Sequence, residues 1–268
     1  MRRSILACVA LSALVLGGCG LGGISSAISG GAPSRPAPTK TVVVVVDLSA
    51  STLPFRSLYL QTVKTVIQSL HAGDVLAVAE ITSSSITRPT VPILKVIKPF
   101  VPLDAAGNPT NNPLLVRKDK LKEAAKLRKV RAQLDLQAQQ LFSPQGQGAE
   151  STQYTDIMSA LTVAQNLFDA NKRDEARLVV LSDMMEDAGQ FNFYEPVTAS
   201  VTQAIIQTET SSGQLPDLKG VQVFAVADGT ESTATYFSVR SFWLRYFAAT
   251  GADLKAQDYS NTLNGYGH

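Results

Sequence analysis

The chain has 268 residues, of which 45% are hydrophobic and 17% are charged, and its formal net charge is +2. This composition excludes a disordered chain and predicts a globular domain with a sizeable core. The two cysteines, Cys8 and Cys19, lie near the N-terminus. The folded part is therefore predicted to contain neither a free thiol nor a disulfide.

The N-terminal residues have the pattern of an export signal. Two arginines, at positions 2 and 3, precede an apolar stretch (residues 5–16) that is too short for a transmembrane helix. The Leu-Gly-Gly-Cys that follows resembles the lipobox of bacterial lipoproteins. The resemblance implies that residues 1–18 are a lipoprotein signal peptide and that a lipid on Cys19 anchors the protein in the bacterial cell envelope, facing the periplasm or the exterior. The alternative is an ordinary signal peptide followed by a chance cysteine.

Residues 19–40 predict a flexible tether, because they are rich in Gly, Ser, Ala and Pro and have no periodic apolar pattern. In residues 41–268, strand-like and helix-like segments alternate. This alternation predicts one α/β domain around a mainly parallel sheet, with an antiparallel edge strand after the Ser/Thr/Pro-rich turn. The predicted strands are 41–47, 74–82, 93–101, 177–181 and 221–227, and the predicted helices are 55–70, 114–141, 156–171, 196–210 and 237–250.

Oxygen-bearing side chains follow two of the predicted strands, at the edge where α/β sheets place their ligands. Asp47, Ser49 and Ser51 come directly after the valine run TVVVVVD, and Asp183 follows the strand RLVVL. Residues two apart in an extended turn point the same way, so the first three are able to face one ion. Thr155 precedes a predicted helix that begins near the same edge. A set of oxygen ligands without a thiol or an imidazole suits a hard divalent cation, with Mg²⁺ favoured over Mn²⁺ or Ca²⁺.

The sequence DLSAS, together with Thr155 and Asp183 in this order, resembles the metal-ion-dependent adhesion site of von Willebrand factor type A domains. The resemblance covers roughly Thr41 to the C-terminus, and it implies a Rossmann-like three-layer fold with helices on both faces of the sheet. It also implies that Ser49, Ser51 and Thr155 are direct hydroxyl ligands, while Asp47 and Asp183 bind the ion mainly through water. The remaining coordination position would accept an Asp or Glu of a partner protein.

One departure from this family is the long span before Thr155, which predicts an insertion at about residues 102–150. It contains the basic sequence RKDKLKEAAKLRKVR (residues 117–131). Such a helix is most often a solvated face, although anionic lipid, cell-wall polymer or nucleic acid are alternative partners. Export from the cytoplasm disfavours nucleic acid. The Leu/Val stripe of this helix is predicted to be either core or a surface for a partner helix.

Signs of an enzyme are weak in this sequence. His71 and His268 have no companion at a suitable spacing, no G-x-S-x-G or phosphate loop occurs, and no general base is visible beside the serines. We therefore expect a lipid-anchored domain that binds a protein partner and is not an enzyme. A metal-assisted hydrolase, or a structural envelope lipoprotein with an unused metal site, are the alternatives.

Four other acidic residues near the strand ends are predicted to have ordinary roles. Glu186 and Asp187 are predicted to be surface acids, Asp156 an acid at a helix N-terminus, and Asp228 part of a turn.

Overall fold

The computed structural model describes residues 38–83, 85–143, 154–189, 191–194, 196–227 and 232–267. The predicted signal peptide, the lipidation site Cys19, most of the tether, Asp228 and His268 lie outside these residues. Within the described ranges, no helix is both long enough and apolar enough to cross a membrane.

A six-stranded sheet forms the centre of the domain, with the strand order β3-β2-β1-β4-β5-β6. All neighbouring strands are parallel except β2 and β3, which are antiparallel. The predicted fold class, a mainly parallel sheet with one antiparallel edge strand, is therefore confirmed. The strands are β1 (Lys40–Asp47), β2 (Val75–Ile81), β3 (Ile93–Val96), β4 (Glu175–Ser182), β5 (Val221–Ala227) and β6 (Asp253–Ser260).

Helices cover both faces of this sheet and complete a three-layer α/β arrangement. A short 3₁₀ helix (Ala50–Phe55) follows β1 and leads directly into the first α-helix. The last helix begins four residues earlier than predicted, at Thr233, because the side chain of Ser232 caps it by accepting from the amide of Thr235. The helices are α1 (Arg56–Gln68), α2 (Pro113–Leu141), α3 (Ile157–Ala170), α4 (Ala199–Ser212) and α5 (Thr233–Ala249).

The valine run forms the central strand and divides the core in two. All five valines (residues 42–46) are fully buried, and β1 is paired along its length with β2 on one side and β4 on the other. Val43 and Val45 face the cluster that includes residues of α3, α4 and α5, whereas the other three valines face the cluster that includes α1 and the C-terminal part of α2. In the part of the chain that the structure describes, both clusters are built from residues 42–266.

Helix α2 contacts this core only through its C-terminal part. Leu134, Ala138 and Leu141 are buried, while Leu114 and Leu121 are 79% and 69% exposed. The predicted apolar stripe of this helix is therefore core at one end and solvent-exposed at the other.

Candidate functional site

The site lies at the carboxyl ends of β1 and β4, where the strand order reverses direction. From β1 the chain builds the sheet outward to β2 and β3, and β4 then starts the other half on the opposite side of β1. Ligands of open α/β sheets bind at such a switch point. Asp47 is the last residue of β1, and Asp183 follows the last residue of β4.

Asp47 is completely buried, and both of its carboxylate oxygens are held in place. Oδ1 accepts a hydrogen bond from the backbone amide of Ser49 at 2.8 Å, and Oδ2 accepts one from the hydroxyl of Ser182 at 3.0 Å. The first of these bonds closes the turn that follows the strand. The carboxylate is thus fixed in one orientation beneath the turn.

The turn after β1 brings two hydroxyls together above this carboxylate. The Oγ atoms of Ser49 and Ser51 are 2.9 Å apart, and Ser51 also hydrogen-bonds to the carboxylate of Asp183. Thr52 and Arg56 hold the turn from below, because the Thr52 hydroxyl and the Arg56 guanidinium each donate to the carbonyl of Ser49. Four of the five predicted site residues therefore form one connected cluster.

The loop that carries Asp183 has a strained backbone held by a tryptophan. Met184 has a φ of +65°, which is uncommon for a residue with a side chain, and it is fully buried. Its carbonyl accepts a hydrogen bond from the indole Nε1 of Trp243 at 2.9 Å, and its amide donates to the hydroxyl of Ser182 at 3.0 Å. Helix α5, which carries the tryptophan, thereby fixes the position of Asp183.

Thr155 reaches the same edge through its backbone. Its carbonyl accepts a hydrogen bond from the amide of Asp187 at 3.0 Å, which places it beside the loop that follows β4. In the described part of the chain, no hydrogen bond joins the Thr155 hydroxyl to the other four site residues. The structure thus places Thr155 beside the loop that carries Asp183, without connecting its side chain to the cluster.

Glu186 is a feature of this edge that the sequence interpretation missed. It is 1% exposed, so the prediction that it is a surface acid is wrong. Its Oε2 accepts hydrogen bonds from the amides of Ile157 and Met158 at 2.9 and 3.1 Å, the first two residues of α3. Burial raises the pKa of Glu186 well above its usual value, with Asp156 adding to the shift. Glu186 therefore ties the β4 loop to the helix that Thr155 precedes.

Asp156 has the structural role that the sequence predicts. Its Oδ1 accepts a hydrogen bond from the amide of Ser159 at 3.0 Å and so caps the N-terminus of α3. His71 lies at the opposite edge of the sheet, where the parallel strands begin, and its Nδ1 is 3.8 Å from the carboxylate of Asp74, just before β2. It is therefore remote from the cluster at the carboxyl ends.

Burial and mutual repulsion disfavour the charged form of the carboxylates at the site. Burial and, to a smaller extent, the neighbouring Asp183 raise the pKa of Asp47 to about 6, although hydrogen bonds from Ser49 and Ser182 oppose the shift. Burial also raises the pKa of Asp183. Among the residues that the structure describes, neither carboxylate forms an ion pair with a basic side chain. The Arg56 guanidinium interacts with Asp47 electrostatically, but it donates its hydrogen bonds to the carbonyls of Leu48 and Ser49 and not to the carboxylate.

An apolar cavity of about 250 Å³ opens beside the cluster. Met185, Tyr236, Phe237 and Tyr259 line it, and Asp183 lies at its border. Phe237 is 56% exposed, so the cavity has an aromatic rim that faces solvent.

Comparisons with known proteins give similarity at the level of the fold. No protein-family model matches the chain, and no curated protein does. Similar solved structures include a von Willebrand factor type A protein from Catenulispora acidiphila, with 13% identity, a TM-score of 0.42, and 82% of this chain and 40% of that chain covered. Another is the pilus adhesin SpaC from Lactobacillus rhamnosus GG in an open conformation, with 14% identity and a TM-score of 0.43. That match covers 84% of this chain and 29% of the adhesin.

A third similar structure is an aerotolerance-related membrane protein from Bacteroides fragilis NCTC 9343, with 11% identity and a TM-score of 0.38. That match covers 85% of this chain and 92% of the other. The present chain spans less than half the length of the first two proteins.

Proposed function

We propose that the cluster at the carboxyl ends of β1 and β4 binds a divalent cation, with Mg²⁺ favoured, and that this ion captures a carboxylate of a partner protein. The observation that carries the proposal is the pair of neighbouring carboxylates, the buried Asp47 and the half-buried Asp183, beside two adjacent serine hydroxyls and without an ion-pair partner among the described residues. Ser49 and Ser51 would hold the ion through their hydroxyl oxygens, with Thr155 as a third. The two aspartates would orient its water ligands.

The residues present fit such an ion in chemistry and in spacing. All the donors are oxygens, which hard divalent cations prefer. The 2.9 Å between the Ser49 and Ser51 oxygens is as long as the edge between adjacent ligands of an octahedral Mg²⁺ ion, about 2.9 Å for bonds of about 2.0–2.1 Å. Within the described ranges no three His, Cys, Asp or Glu side chains converge on a common point, so a cation here would depend on hydroxyl ligands.

The ligand composition supports binding of a partner carboxylate. Neutral hydroxyl ligands leave much of the positive charge of the ion uncompensated, and an external Asp or Glu would supply the missing negative charge. The apolar cavity beside Asp183 offers room for a second side chain of the same partner. Together with a lipid on Cys19, the site would make the protein an envelope-anchored adhesion module and not an enzyme.

A metal-dependent crosslinking pull-down from a bacterial envelope extract tests this function. We expect partner capture to be lost with EDTA, restored by Mg²⁺, and abolished by Asp183→Ala. The matched control is Asp187→Ala, which removes a neighbouring half-buried acid outside the cluster and should leave capture intact. Capture that survives both EDTA and Asp183→Ala would contradict the proposal, and metal-dependent turnover of an ester or phosphate would favour the hydrolase alternative.

The affinity for Mg²⁺ is expected to fall about tenfold between pH 7.5 and pH 5, because protons compete with the metal for an aspartate whose pKa is about 6. Above pH 7 the carboxylate of Asp47 is ionised and ready to orient metal-bound water, whereas at pH 5 about nine in ten molecules carry it protonated. Isothermal titration with MgCl₂ across this range measures the effect. An affinity that stays constant down to pH 5 would show that Asp47 does not take part.

A further inference from the structure

The N-terminal part of α2 leaves the domain at the edge opposite the proposed metal site. The Arg131 guanidinium donates to the carbonyl of Leu70, and Gln68 donates to Asp135 at 3.3 Å. Residues 131–135 of α2 therefore meet the C-terminal end of α1. That end of α1 lies beside the start of β2. Helix α2 is fully buried only at Leu134, Ala138 and Leu141, and Leu127 and Val130 pack half-buried against the same core. Residues 113–129, here called the basic arm, span about 24 Å at 1.5 Å per residue. Leu127 near their end still contacts the core, and the residues before it extend past this edge.

The basic arm separates its charges between two sides. It contains seven Lys and Arg residues and two acidic ones, a net charge of +5, and all seven basic side chains are exposed. Both acids are half-buried: Asp119 accepts from the amide of Leu103 at 3.3 Å, and Glu123 lies 3.5 Å from Lys126. Residues 100–104 of the preceding loop border this acidic side. The opposite side carries positive charge and no carboxylate.

Two exposed leucines lie on that outward side among the basic residues. Leu114 and Leu121 are seven residues apart, so they share one face of the helix. Four basic residues occur on the same face at helical spacing, namely Arg117, Lys118, Arg128 and Lys129. A helix with a cationic surface and protruding leucines has the composition of one that lies in a membrane interface.

We propose that the basic arm lies on the surface of a bilayer that contains anionic lipids, with its two leucines inserted at the boundary between headgroups and acyl chains. A soluble polyanion such as nucleic acid would use the charges, but it would gain nothing from the leucines. Binding of the arm is independent of the metal site proposed above.

The direction of the arm agrees with the point where the chain enters the domain. Lys40 begins β1 at this same edge, where its amide donates to Asp74 at 3.0 Å. A lipid on Cys19 would attach the domain from this side, and the chain between Cys19 and Lys40 spans at most about 70 Å when extended, enough for the arm to reach the surface. The proposed metal site would then face away from the membrane.

Vesicle sedimentation tests the proposal on a chain that starts at residue 20, which removes the predicted signal and lipid site but keeps both core clusters. The probes are phosphatidylcholine vesicles with and without about 30 mol% phosphatidylglycerol, at about 0.1 M and about 1 M salt. We expect binding only to the anionic vesicles, and release at high salt as the charges are screened. Equal binding to neutral vesicles would overturn the proposal.

Removing charge from the arm should weaken this binding about 100-fold in the triple variant Lys118→Gln, Arg128→Gln, Lys129→Gln, since each basic residue near an anionic surface contributes about fivefold. The matched control, Arg88→Gln, Arg245→Gln, Lys255→Gln, removes the same charge from exposed positions elsewhere and should bind as the parent chain does. Equal binding by the two triple variants would overturn the proposal. Circular dichroism melts verify that both are folded.

The leucines distinguish a bilayer from a soluble polyanion. Leu114→Gln with Leu121→Gln keeps every charge, and we expect it to weaken vesicle binding at least about tenfold while leaving retention on a duplex-DNA column unchanged. Vesicle binding that is insensitive to the leucines, with tighter binding to duplex DNA, would show that the arm is a polyanion site and that the membrane proposal is wrong.

Discussion

Replacing Asp47 by Asn is expected to make the metal-free protein more stable at about pH 7.5 and to abolish its stabilisation by Mg²⁺. The pKa of this buried carboxyl is raised from 3.8 to about 6, so its ionisation costs the folded state up to about 3 kcal/mol above pH 6. The sign follows from the direction of the shift. The stability that Asp47 contributes is fully present below about pH 4 and is lost as the pH rises through 6.

The Asn variant removes the charge but keeps an acceptor for the amide of Ser49. We therefore expect a gain of about 1–3 kcal/mol in the free energy of unfolding at pH 7.5, and about a third of that gain at about pH 4.5, where only the unfolded chain is largely ionised at this residue. Mg²⁺ at about 100 times its dissociation constant should stabilise the parent chain by about 2.7 kcal/mol and leave the variant unchanged.

Urea denaturation with EDTA or Mg²⁺ at the two pH values measures both effects. Asp187→Asn is the control, because this nearby acid is outside the cluster and the variant should retain the response to Mg²⁺. A variant at Asp47 that is less stable than the parent without metal, or that keeps the full response to Mg²⁺, would contradict the proposed role.

Replacing Trp243 by Ala is expected to lower the free energy of unfolding by about 3–5 kcal/mol. The side chain is fully buried and packs against aromatic rings of the same core cluster, with ring centroids of Phe193, Phe242 and Tyr246 within 6.0 Å. The substitution leaves a cavity and also removes the hydrogen bond to Met184. The effect is large because both losses occur in the interior.

Trp243→Phe separates the hydrogen bond from most of the packing. It leaves the buried carbonyl of Met184 without its donor, which costs about 1–3 kcal/mol. Because Met184 is held at a φ of +65°, we expect the loop to relax and Asp183 to move, which would weaken Mg²⁺ binding along with stability. The Ala and Phe variants are compared by urea denaturation and by titration with MgCl₂.

Tyr246→Phe provides the control for this pair of variants. The Tyr246 side chain lies in the same aromatic cluster, and its hydroxyl has no hydrogen-bond partner within the described part of the chain. The substitution should therefore leave stability and Mg²⁺ affinity nearly unchanged. Normal Mg²⁺ affinity in Trp243→Phe would show that the tryptophan supports the core without positioning Asp183.

Elements whose signal is local can be predicted from the sequence alone. Five consecutive valines predict a strand covered on both faces, and the structure confirms it. The apolar spacing in residues 114–141 and 156–171 predicts helices that the structure has within one residue of those bounds. The order of polar residues after the strands also predicts which side chains meet at one edge, because parallel strands end together. Asp47, Ser49, Ser51 and Asp183 do meet there.

Features that depend on a partner distant in sequence follow from tertiary contacts. Strand β6, with the polar sequence DLKAQDYS, has no strand pattern of its own and forms because it pairs with β5 at the edge of the sheet. Glu186 is buried because the amides at the start of α3 need an acceptor. Whether the leucines of α2 are core or surface depends on where the helix leaves the domain. The periodicity of apolar residues depends only on residues that are near in sequence. Strand pairing and side-chain burial depend on groups that folding brings from elsewhere in the chain.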